Sequence, residues 1–206
     1  PASQLEQFKS STIGPSAFTL YTGLDCEPEE LGIHDTTNFI GTTLDMDAAF
    51  ELWKTMEPPA VSLLTCYDVD DPDFSPPGSC QAALVALQYA DPWYTIPPHK
   101  YADAKYRYAE GLLDLAEKVF PGFRGHIEEI EASTPLTHLR YLGHPAGAIY
   151  GFDQYAKDNV LFQSPKSPIK GLYFAGAWAG SGGFQPTLTS GRSAGRAILK
   201  SMRKQQ

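Results

Sequence analysis

Apolar and polar positions along this chain repeat with two different periods, and the switches between them predict the order of its elements. Residues 17–21 (AFTLY) alternate and are rich in aromatics, with Gly23 and Asp25 just beyond, which predicts a strand running into a turn. A second strand is expected over 36–41. Asp45 and Asp47 then precede Ala48, Ala49, Leu52, Trp53 and Met56, a helical spacing with acids in its first turn and Pro58-Pro59 as its stop. The apolar runs 60–67 and 81–89 have strand length, and the Asp/Pro/Gly-rich connector 68–78 between them predicts a pair of strands joined by a long loop. Over 101–120 the period changes to 3.6: Tyr108, Leu112, Leu115, Ala116 and Val119 share one face, and Pro121-Gly122 closes the helix. Residues 127–133 read as a strand and 134–141 as a turn or short helix. The polar lead 1–11 has little pattern, the proline-broken 91–100 reads as a loop or lid, and 159–170, with two Ser-Pro steps, reads as an extended loop.

The longest uncharged stretch lies near the end. Residues 172–175 predict a short strand, Gly180, Gly182 and Gly183 a turn, and the following pattern a helix to about Met202. In that order, a helix N-terminus and a row of backbone N–H groups are open to an anionic or electron-rich ligand. A purely structural glycine turn has the same local sequence. Within the helix Leu188, Gly191, Gly195, Ile198 and Met202 form a stripe, and its two glycines would let the helix lie close against a sheet. Lys200, Arg203 and Lys204 suit the C-terminal end of the dipole.

Composition narrows the function classes. In 206 residues, 42% apolar and 12% aromatic, there is enough material for a globular core. A net charge of −8, from 24 acidic against 16 basic residues, argues against a nucleic-acid backbone or a polybasic membrane face as partner. Cys26, Cys66 and Cys80 are odd in number and far apart, so they predict buried thiols in a reducing, intracellular compartment instead of a disulfide framework. The span 171–191 is uncharged, but its glycines, Pro186 and Gln185 make it a poor membrane helix. Contact at the periphery of a membrane stays open.

Several motifs dissolve on inspection. Gly191-Arg192-Ser193-Ala194-Gly195 matches a hydrolase nucleophile elbow, yet Ser193 falls inside a helical pattern and no Asp or His follows it. His34, His99, His126, His138 and His144 lack paired metal-ligand spacing, so no metal is expected. Glu128, Glu129 and Glu131 read as a solvated strand edge. Trp93, Tyr94, Tyr101, Tyr106 and Tyr108 are consistent with either an apolar substrate channel or core packing.

The residues 171–195 (GLYFAGAWAGSGGFQPTLTSGRSAG) resemble the C-terminal FAD-contacting motif of the phytoene desaturase, carotenoid isomerase and retinol saturase group of flavoproteins, related more distantly to flavin amine oxidases. Upstream, Thr134-Pro135-Leu136-Thr137, Arg140-Tyr141, Gly147-Ala148-Ile149-Tyr150-Gly151 and Pro168-Ile169-Lys170 have that group's order and spacing, and 15–25 and 71–78 are similar too. The resemblance implies an α+β fold. Residues 1–160 would form a substrate domain on a mixed β-sheet, and 161–206 would be the strand-turn-helix that returns to an FAD-binding domain. The chain contains no G-x-G-x-x-G, so the N-terminal Rossmann segment that grips the ADP half of FAD is expected to lie outside it, and FAD not to be retained without that half. By the same resemblance Gly176 and Ala177 approach the ribityl or pyrophosphate region, with Trp178 and Gly182 beside them. Gly183, Phe184 and Gln185 direct backbone N–H groups at the flavin, and His144 and Tyr150 form the substrate wall. The implied activity is hydride transfer or isomerisation on an apolar polyene such as a carotenoid or retinoid. A flavin amine oxidase and a non-catalytic lipid-binding or scaffolding module remain as alternatives. The latter draws on Ala177, which stands where many relatives carry an acid.

Overall fold

The computed structural model describes residues 2–153, 155, 167–179 and 182–203. Its centre is a five-stranded sheet built from β1 (Ser16–Leu24), β2 (Thr37–Gly41), β3 (Val61–Thr65), β4 (Cys80–Gln88) and β5 (Ile127–Ser133), in the order β2-β3-β4-β1-β5. All four pairings are antiparallel, so the sheet is not mixed as expected. The reason is topological. A 19-residue helix, α4 (Tyr101–Val119), carries the chain from β4 to β5, and β1 lies between those two strands, so the parallel pair is split and never touches.

The front face of the sheet carries the core. Phe18, Leu20, Leu64, Leu84 and Leu112 are fully buried between the strands and α4. Tyr108 of α4 tilts against Phe18 at 4.8 Å between ring centroids, and Trp93 stacks on the same ring at 5.9 Å. Gly111 lets α4 approach closely, since a Cβ there would stand 2.8 Å from the Pro58 side chain. The expected lid at 91–100 is therefore an anchor. Its short helix α3 (Asp91–Tyr94) sinks Trp93 to 1% exposure and donates the indole N–H to Gln88 Oε1 at 2.8 Å. A buried indole must find a partner, and this one also fixes the loop. Of the aromatic set, Trp93 and Tyr108 are core and Tyr94 and Tyr106 are exposed, which removes the channel reading.

The shorter helices follow local rules. In α2 (Met46–Leu52) the Asp45 carboxylate accepts from the Ala48 N–H at 3.0 Å. In α5 (Pro135–Leu142) Thr134 and Thr137 form a reciprocal capping box with Pro135 at the first helical position, so the ambiguous 134–141 segment is a helix. The patternless lead forms α1 (Ala2–Ser10), held from outside by Phe8, whose ring stacks on Phe152 at 6.0 Å and meets Phe174 edge-on at 6.2 Å. Cys26, Cys66 and Cys80 are buried free thiols. The expected loop at 159–170 falls largely outside the described residues, as does the expected domain boundary at 160/161.

Candidate functional site

The candidate site is built by a glycine-rich segment folding back on itself and by the start of the last helix, α6 (Phe184–Arg203). Residues 147–153 run beside 12–15: the Gly14 N–H donates to Gly151 O at 2.9 Å, Ile149 N–H to Pro15 O at 3.1 Å and Asp153 N–H to Thr12 O at 2.9 Å. Gly147 is compulsory here. It sits at φ +63°, and a Cβ would lie 2.2 Å from Pro135 O, so only glycine lets this run pass α5.

The C-terminal segment packs on that run. A Cβ on Gly151 would meet Ala177 O at 2.9 Å, and one on Gly182 would meet Tyr150 Cβ at 2.3 Å. Trp178 closes the contact, edge-on to Phe152 at 5.0 Å and to His144 at 5.7 Å. The His144 Nδ1–H donates to Ala148 O at 3.0 Å. Gly176 is tied to α6 from the other side, its N–H donating to Ser190 Oγ at 3.1 Å.

Of the residues expected at the site, Tyr150, Gly183 and Phe184 line one cleft of about 540 Å³ together with Ile149, Thr187 and Leu188. Gly182 supports that wall from behind. Gly176, Ala177, Trp178 and His144 pack beside the cleft and do not line it, and the Gln185 side chain turns back toward Thr189 at 3.5 Å. Gly180 lies outside the described residues. The expected strand at 172–175 is not formed. Tyr173 alone has bridge geometry, because a strand needs a ladder partner and no named strand of the described residues pairs with it. Ser193 is inside α6, so the nucleophile-elbow geometry is absent.

The start of α6 suits an electron-rich ligand. Its first turn carries no acid, and Gly183 enters it at φ +102°, a conformation costly for other residues. Phe184 is 96% exposed and Leu188 71%, so the apolar stripe of this helix faces outward; Gly191 and Gly195 have no atom within 4 Å of an added Cβ. Ala194 alone among the described residues of α6 is buried.

A second surface, missed by motif reasoning, is the back face of the sheet. Phe39, Leu63, Val85 and Thr19 form one row across four strands, and Val61, Ala83 and Leu87 flank it. Exposure along the row is uneven, and Thr19 at its β1 end is buried. Phe39 is 82% exposed, and Leu63, Val85 and Leu87 are half-buried. The signal was present in the sequence, as strands apolar at both alternating sets. At the β5 edge Glu129 and Glu131 rim this face, with Glu131 held by Lys105 at 2.7 Å. Just past the C-terminal end of β4 stands Tyr89, with Phe50 edge-on to it and to Trp53.

No family model matches the chain. Among curated proteins, all-trans-retinol 13,14-reductase of Danio rerio is 26% identical over 207 residues, covering 90% of this chain and 34% of that protein. The Rattus norvegicus protein of the same name is 27% identical over 209 residues, with 91% and 34% covered. Prolycopene isomerase, chloroplastic, of Arabidopsis thaliana is 30% identical over 128 residues, 60% of this chain and 21% of that protein. The chain is thus similar to the retinol reductases over most of its length and to the prolycopene isomerase over a shorter part, at 26–30% identity. It spans about a third of the length of the retinol reductases it matches. The fold is found again in the crystal structure of an oxidoreductase from Methanosarcina mazei, with a TM-score of 0.51 at 13% identity over 97% of this chain and 37% of that one. Among the described residues no helix is long and apolar enough to cross a membrane, and no group of three His, Cys, Asp or Glu is placed to hold a metal ion.

Proposed function

We propose that this chain forms the substrate wall and the flavin-end contacts of an FAD-dependent oxidoreductase that acts on an apolar polyene, by hydride transfer in desaturation or saturation or by bond isomerisation. The observation that carries the reading is the partly exposed apolar back face of the sheet, in a chain whose relatives are named for retinol and prolycopene. Burying an extended hydrocarbon on that face removes apolar area from water on both partners, at roughly 25 cal/mol per Å². In this reading residues 1–160 are the substrate domain and 161–206 return to the cofactor.

FAD, when bound, supplies the centre that accepts or gives the hydride. The residues present fit it: an acid-free helix N-terminus, positive-φ glycines at 176 and 183 that keep side chains away, and an apolar cleft beside them. Phe184 and Gln185 present first-turn N–H groups of α6, and these stabilise negative charge at the flavin end. Gly176 and Ala177 lie along the ribityl or pyrophosphate, Trp178 and Gly182 hold that segment in place, and Tyr150, with His144 behind it, excludes water from the substrate side. The outward stripe of α6 docks on the dinucleotide-binding segment.

A second reading, a lipid-binding module without cofactor, is favoured by Ala177, which offers no carboxylate to a ribityl hydroxyl. The two separate in one experiment. Protein supplied with FAD and a dinucleotide-binding segment should keep the visible flavin band through gel filtration, and a polyene added without oxygen should change the flavin's redox state. Free flavin with the polyene still bound selects the second reading, and binding of neither overturns both.

A further inference from the structure

We propose that the β2 edge of the sheet pairs with the β2 edge of a second copy of this chain, joining two sheets into one across a two-fold axis at Phe39. The inference is independent of the polyene reading and starts from the two ends of the sheet. Among the described residues β2 and β5 are the edge strands, and an edge is an open row of N–H and C=O groups unless the sequence blunts it. β5 is blunted, with Glu128, Glu129 and Glu131 exposed along it. β2 is not. Residues 36–44 (TTNFIGTTL) contain no charged side chain and no proline, and Phe39 at the centre of the strand is 82% exposed. Leu44, 98% exposed, and Met46, 56% exposed, follow just beyond it.

The phase of the ladder decides which groups are open. The Cys66 N–H donates to Thr36 O at 2.9 Å and the Thr42 N–H to Ala60 O at 2.9 Å, and these bonds bracket β2 in its register with β3. In an antiparallel pair every second residue bonds to the neighbouring strand, so Thr36, Asn38, Ile40 and Thr42 face β3. Thr37, Phe39 and Gly41 therefore turn their N–H and C=O groups outward, and this set is symmetric about Phe39. A two-fold axis there sets Thr37 of one copy opposite Gly41 of the other and Phe39 opposite Phe39, each pair exchanging both backbone bonds. The two Phe39 rings meet on the back face, where Gly41 beside each carries no side chain and leaves it room. Charge permits this contact. Continuing the register sets Asp35 opposite Thr43, so no acid faces an acid across the axis, whereas pairing β5 with itself would crowd glutamates together. The net charge of −8 on each copy opposes association at long range, so added salt should tighten the dimer.

The test is sedimentation velocity of the 206-residue chain from about 1 to about 100 μM. The intact chain should sediment as a dimer in the upper part of that range. Phe39→Lys alters an exposed ring outside the core; it should weaken association about a hundredfold or more and leave the circular dichroism spectrum unchanged. Phe39→Glu should do the same, and an equimolar mixture of the two variants should recover the dimer, because the axis sets position 39 against itself. Phe39→Cys should cross-link into a covalent dimer on mild oxidation, since bonded antiparallel partners stand about 5.5 Å apart at Cα, within disulfide reach. The native thiols are buried and do not compete. A monomer at every concentration overturns the proposal. A dimer that survives Phe39→Lys places the contact elsewhere, and a mixture that stays monomeric rules out the symmetric register; either result also overturns it. Flotation with phosphatidylcholine vesicles runs alongside. An intact chain that stays monomeric and floats assigns Phe39, Leu44 and Met46 to a lipid surface and overturns the pairing as well.

Discussion

The two faces of the sheet are made by the same strands, yet only one is closed. On the front, Phe18, Leu20, Leu64 and Leu84 meet α4 with no exposed surface; on the back, Phe39 is largely exposed and Leu63, Val85 and Leu87 are half-buried. Antiparallel sheets usually solve this asymmetry by turning polar side chains to the uncovered face. This sheet carries apolar side chains on both, the front closed by α4 and the back exposed in part. α6 shows a similar contrast: Phe184 and Leu188, which line the cleft beside Tyr150, are largely exposed, whereas Ala194 is buried.

The comparison can be broken from either side. Phe18→Ala should be the largest effect, costing about 3–5 kcal/mol in urea unfolding, because Trp93 and Tyr108 both lose the ring they pack on. Gly182→Ala should cost about 1–3 kcal/mol, since the added methyl meets the Cα and Cβ of Tyr150 and neither is a flexible tip that can swing away. A loss below the scatter of the measurement would mean that the C-terminal segment does not pack as described.

A smaller, pH-dependent effect belongs to His138 on α5. Burial lowers its pKa below the ordinary 6.5, and its Nε2 has no hydrogen-bond partner among the described residues. The unfolded chain therefore takes up the proton first as pH falls. Stability from this group is present above about 6.5 and is lost as pH falls from there through the folded pKa. His138→Gln should flatten that part of the profile, measured as the urea midpoint at about pH 7.5 and about pH 5.5. An unchanged slope would place the His138 ring in water.

Most of the fold could be read in advance because the strands and α4 keep clean periods of 2 and 3.6, and their boundaries carry ordinary caps and breakers. The exceptions are segments held by tertiary contact. The helix α1 depends on Phe8 reaching Phe152 and Phe174, and Trp93 turns a proline-broken stretch into an anchor. Neither contact has a local signature. At the site, the glycine turn and Tyr150 could be read because glycine spacing marks close approach. The hydrogen bond from the Tyr89 hydroxyl to Asp153 could not, since the two residues stand 64 positions apart and meet only when residues 147–153 run beside 12–15.

The back face of the sheet decides whether a polyene binds here. Leu63→Glu places a charge in the middle of the Phe39–Leu63–Val85 row, on a half-buried site away from the core. The measurement is retinol binding by tryptophan quenching, with the thermal midpoint followed in parallel. Binding should weaken by about tenfold or more, the cost of a charge set against a hydrocarbon, while the fold survives. Retinol bound as tightly as in the unaltered protein would show that the polyene lies elsewhere and would contradict the central claim.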